Sequence, residues 1–122
     1  MSERDEQSVE PLYPDRLTWT TLLGHWVAFA RQAVGLPDAG EGRLMRASVG
    51  DVIMLQAVWF ALQNVDELPA DERALGVDRA GVLVQRHGEA LEQRWEGHAM
   101  PATMRELIDD ARGAVERARG GV

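Results

Sequence analysis

Three histidines, four tryptophans and three serines, with no cysteine, are the side chains from which this 122-residue chain would build a chemical site. The missing cysteines remove disulfides, thiolate nucleophiles and thiolate zinc sites together. His87 and His98 fall on one helical stripe, but eleven residues at 1.5 Å each hold their backbones roughly 16 Å apart, too far for one metal ion. A di-iron bundle needs Glu-x-x-His on paired helices, and the chain has no such motif. Glu92 and Glu96 stand four apart among Arg86, Glu89 and Arg94, a pattern that reads as a solvated face. No spacing selects His25 or His87 with Met54 as haem ligands.

Nucleophilic chemistry fares no better. Ser2 and Ser8 lie in an acidic tail, Ser48 reads as a helix cap, and no Gly-x-Ser-x-Gly elbow exists. The run from Gly40 to Ser48 brings Arg43 and Arg46 to a helix start but lacks the lysine of a phosphate loop, and Asp51 opposes an anion there. The expectation is a non-catalytic protein without metal or cofactor.

The tryptophans are the remaining candidates. Trp19 and Trp26 are seven apart on one face, and Trp59 and Trp95 sit in apolar stretches, so core filling is the first reading. The alternative is a ligand pocket between helices, lined by Trp19, His25, Trp26, Trp59, His87 and Trp95, with His25 or His87 as polar anchor.

These residues need helices to position them. Pro14-Asp15, Pro37-Asp38 and Pro69-Ala70-Asp71 punctuate the chain. A first helix, capped by Asp15 or Thr18, is predicted to run to about Val34 on the stripe Trp19, Leu22, Leu23, Trp26, Val27, Ala30, Ala33 and Val34. A long connection, Gly35 to Ala47, leads to a second helix that Ser48 caps and that runs to about Val65. A short turn, Asp71 to Leu75, closes at Gly76. Asp78 then caps a third helix to about Trp95 or Glu96, ended by Gly97. Its apolar stripe is Val77, Ala80, Val84, His87, Leu91 and Trp95, and Gly81 and Gly88, seven apart, point to a close helix neighbour. The fourth helix starts at Met100-Pro101 or is capped by Thr103, and Met104, Leu107, Ile108, Ala111, Val115 and Ala118 form its inner face. No segment reads as a strand. The fold class is all-α, an antiparallel four-helix bundle with a long connection between helices 1 and 2.

Residues 1–14 read as a disordered acidic tail and 15–122 as one bundle domain. A net charge of −7 repels phosphate backbones, so no nucleic acid partner is expected. The tail has neither the basic start nor the apolar run of a signal peptide. The longest apolar run, Val52 to Leu62, falls short of the roughly 20 residues that cross a bilayer, so no membrane role is expected and the cytoplasm is the default location.

That same run raises the main expectation about function. Apolar residues cover nearly the whole circumference of helix 2, whereas a small bundle should leave one face for water. Either Leu12-Tyr13 and the long Gly35 to Ala47 connection fold over it or a second subunit does, and the second subunit is the favoured expectation, through Leu55, Val58 and Leu62 or through the neighbouring row of Ile53 and Phe60. The chain is thus expected to be a homodimeric interaction module, with another protein partner left open.

Overall fold

The computed structural model describes residues 16–33 and 42–120, and within them the chain is entirely helical apart from its links. Four helices, α1 (Trp19–Ala33), α2 (Gly42–Gln63), α3 (Ala70–Arg94) and α4 (Ala102–Gly120), pack on one another, with a short 3-10 turn at Val65–Glu67 between α2 and α3.

Local chemistry sets most of the boundaries. Thr18 caps α1, its Oγ1 accepting from the Thr21 N–H at 3.2 Å. A second cap comes from far along the chain, where Glu72 Oε1 accepts the Trp19 N–H at 2.9 Å and joins the start of α1 to the start of α3. Arg16 pairs with Asp71 beside it. At the other end α3 stops at Arg94 because Gly97 enters the left-handed region at φ 80°, which a side chain would resist. The carbonyl of Pro101 then accepts from Met104 and Arg105, so Pro101 rather than Thr103 starts α4.

Two helices differ from their sequence reading. The second begins at Gly42 instead of Ser48, so part of the expected connection is helix, and the rest of it lies outside the described residues. Ser48 is fully buried in mid-helix, where its hydroxyl donates to the Leu44 carbonyl at 2.8 Å. The third helix runs unbroken through Gly76, which does not close a turn but admits the indole of Trp19. A Cβ at Gly76 would lie 2.5 Å from Trp19 Cε3.

The core accounts for part of the apolar circumference of helix 2. This helix packs against α1, α3 and α4, and more extensively than any other helix. Leu55, Ala57, Val58, Ala61 and Leu62 are buried there, alongside Trp19, Leu22, Val84, Leu91, Trp95 and Ile108 from its neighbours. At 22 residues α2 is long and apolar enough to cross a membrane by length and composition alone, a test that a bundle's central helix also passes.

Gly81 and Gly88 face α4 as their spacing predicts. Ideal Cβ atoms at these positions would meet Val115 and Ile108, each at 3.6 Å, together with the guanidinium groups of Arg119 and Arg112.

Candidate functional site

The chemistry-bearing residues fall into four places. The first joins α2 to α3. His87 Nδ1 donates to Asp51 Oδ1 at 2.6 Å, and Arg94 Nη1 lies 2.8 Å from Asp51 Oδ2 as an ion pair, off the axis of a hydrogen bond. One turn away Trp95 Nε1 donates to Ser48 Oγ at 2.9 Å. An aspartate, a histidine and a serine thus lie close together, but not as a nucleophilic triad. The Ser48 proton goes to Leu44, its acceptor role is taken by Trp95, and the hydroxyl is sealed from solvent. The network fixes the register of two helices. Asp51, read from sequence as a charge that opposes an anion at a helix start, is its centre. With a partner 36 positions away, no local pattern announces it.

The second place joins α3 to α4. Glu92 accepts from Arg112 through both carboxylate oxygens and from Arg105 through one, all at 3.0 Å. These hydrogen bonds, first to Arg112 and then to Arg105, pull the Glu92 pKa down to about 2. Glu92 is therefore a clamp between helices rather than part of a solvated face, whereas Glu96 is exposed. His98 lies beyond the break at Gly97 and is exposed, and so is His25.

The third is an aromatic cluster along α1 and α2. Trp26 stacks on Phe60 with ring centroids 4.9 Å apart, while Phe29 meets both edge-on at 5.4 and 5.6 Å. Trp59 adds an edge contact to Phe60. Phe29 remains 45% exposed. Of the five expected interface residues, Leu55, Val58 and Leu62 lie in the core of the single chain and have no surface to offer. Ile53 and Phe60, seven apart on α2, are only half-buried. Their position separates the two rows that the sequence alone left equivalent.

The fourth place is a pair of clefts between helices. A cleft of about 550 Å³ opens between α1 and α3, walled by Trp19, Leu23, Val27, Val82 and Leu83 with Asp78 and Arg79 at its rim. A second, of about 410 Å³, lies between α2 and α4 and includes Trp59. The six residues of the expected pocket therefore do not converge. Trp19 and Trp59 line different clefts, Trp95 is spent on Ser48, Trp26 on the ring cluster, His87 on Asp51, and His25 is exposed. Among the described residues no three His, Asp or Glu side chains group as metal ligands.

Comparison with protein-family models, with curated proteins and with solved structures finds no match.

Proposed function

We propose that this chain is a non-catalytic helical interaction module that pairs with a second copy of itself through the aromatic face of α1 and α2. The observation that carries the reading is, among the described residues, an exposed ring on helix segments that carry little charge. Arg31 is the only charged residue of α1, α2 has none from Val52 to Gln63, and Phe29 stands 45% exposed against Trp26 and Phe60. Depletion of charge with enrichment of aromatic residues is the composition of an interface centre. Phe60 belongs to that centre, and Ile53 lies two turns before it on α2, also half-buried. Burial of a phenylalanine side chain contributes about 1.5–3 kcal/mol, and a two-fold pairing uses each such contact twice.

The order of contacts supports an antiparallel bundle behind this face. Ser48 meets Trp95, Asp51 meets His87, and Leu62 and Val65 lie with Val77, so α2 and α3 are read as running in opposite directions. Glu92 with Arg105 and Gly81 with Val115 support the same for α3 and α4.

Light scattering at tens of micromolar tests the pairing. The wild-type chain is expected at twice the monomer mass, and Phe29→Glu at the monomer mass with unchanged helicity. A monomeric wild-type chain would overturn the reading. A second reading, a small-molecule binder, draws support from the apolar cleft between α1 and α3, whose volume is that of an ordinary ligand pocket. Native mass spectrometry of protein from its own source separates the two, since one predicts a doubled mass and the other a retained ligand.

A further inference from the structure

The cleft between α2 and α4 differs from its α1–α3 counterpart in carrying charge of one sign. Its floor is Trp59, Met104 and Leu107, its rim holds the polar side chain of Gln56, and α4 adds the carboxylates of Glu106 and Asp110. Those carboxylates stand four apart, on one side of the helix, where like charges destabilise it. The other side of α4 is balanced. Arg105 and Arg112 reach Glu92, and Arg105 also approaches Asp109 at 3.9 Å. Among the described residues no cation pairs with Glu106 or Asp110, and none of the α2 side chains that line the cleft, Met45, Val52, Gln56 and Trp59, is charged. The arrangement is thus an apolar floor that includes a tryptophan, with two negative charges that pair with no cation among the described residues, around about 410 Å³ of space.

We propose that this cleft is a binding site for an organic cation, an ammonium or guanidinium group on an apolar stem. The stem lies on Met104 and Leu107, the cation meets the face of Trp59, and Glu106 and Asp110 supply the countercharge. An anion of the same shape meets two carboxylates and is rejected. The site meets the aromatic face only through the edge contact of Trp59 with Phe60 and shares no residue with the α1–α3 cleft, so the reading of the chain as a self-associating module can fail without it.

The test uses the full chain and two probes of matched shape, 2-phenylethylammonium and 3-phenylpropanoate, with the indole N–H signals followed by NMR. The Trp59 signal is identified by its loss in Trp59→Phe. The ammonium is expected to move the Trp59 signal saturably below about 10 mM, and the carboxylate to bind at least about tenfold more weakly. Glu106→Gln with Asp110→Asn alters two exposed side chains, leaves helicity intact, and is expected to weaken the ammonium at least about tenfold. Nα-acetylarginine amide is the third probe. Tighter binding than the amine assigns the cation to a polypeptide side chain, and weaker binding to a free small molecule. Equal affinity for the two matched probes, an unchanged affinity in the neutralised variant, or a Trp59 signal that does not move would each overturn the proposal.

Discussion

The α1–α2 seam and the α3–α4 seam join helices of similar packing by opposite means. The α3–α4 seam is polar and specific in register: α3 and α4 carry nine and eight charged residues, Glu92 grips Arg105 and Arg112, and Gly81 and Gly88 face Val115 and Ile108 of α4. The α1–α2 seam is made of rings, with Trp26 stacked on Phe60 and Phe29 edge-on to both. Charge clamps specify one register, because a shifted helix leaves guanidinium and carboxylate unpaired. Stacked rings tolerate small shifts and leave apolar area at their outer edge, which is where Phe29 stands exposed. One seam fixes a single register and the other leaves an aromatic edge exposed.

The largest effect that separates core from surface is expected from two glutamate substitutions. Val58→Glu places a carboxylate where the native side chain is 1% exposed, and a loss of more than about 4 kcal/mol is expected, seen as unfolding by circular dichroism. Phe29→Glu should leave the chain folded. If both variants unfold alike, the contrast between a buried row and an outer ring is wrong.

Two glycines sharpen the contrast at α1. Gly76→Ala forces a methyl group against the buried indole of Trp19 and is expected to cost about 1–3 kcal/mol in urea denaturation. Gly24 faces open space in mid-helix, so Gly24→Ala should stabilise the chain by up to about 1 kcal/mol. Equal shifts in both would remove Trp19 as the joint between α1 and α3.

The clamp itself has a pH signature. The Glu92 carboxyl is held down to about 2 from an ordinary 4.5, so its stabilisation is fully present above about pH 4.5 and is lost as pH falls toward 2. The carboxylate is about a third exposed, and solvent screening trims the effect to about 1 kcal/mol. Between pH 5 and pH 2 the wild-type chain should lose about that much more stability than Glu92→Gln. A parallel pair of acid titrations would show that the clamp contributes nothing. The smallest change is expected at Gly81→Ala. The atom in its way is the free end of the Arg119 side chain, which can swing aside, so helix propensity wins by at most about 1 kcal/mol, seen as a slight rise in Tm.

Periodicity made much of this architecture readable. The stripe on α4 is buried at Met104, Ile108, Ala111 and Val115, and the stripe on α3 at Val77, Ala80, Val84, Leu91 and Trp95. Thr18 and Gly97 act at the helix ends where their local preferences put them. What stayed hidden depends on partners distant in sequence. Ser48 has the chemistry of a cap, but the hydroxyl also suits an indole N–H arriving from α3. Gly76 has the chemistry of a stop, but a missing Cβ equally suits an incoming tryptophan. Asp51 and Glu92 look like surface charge until the helices that bring His87 and Arg112 are in place. The interface rows were indistinguishable because α2 is apolar on every side, and only the positions of three neighbours tell Val58 from Phe60.

The central place of α2 also bears on how the chain is made. During synthesis α2 emerges with only α1 available to cover it, since its other partners, α3 and α4, are encoded after it. At ribosomal speeds the last of them follows several seconds later. Through that interval the uncharged stretch from Val52 to Gln63 has no helix on two of its sides, and it is the segment of the nascent chain most open to aggregation or to capture by a chaperone. The residue order that gives the finished bundle its hub therefore leaves the newborn chain its most vulnerable moment.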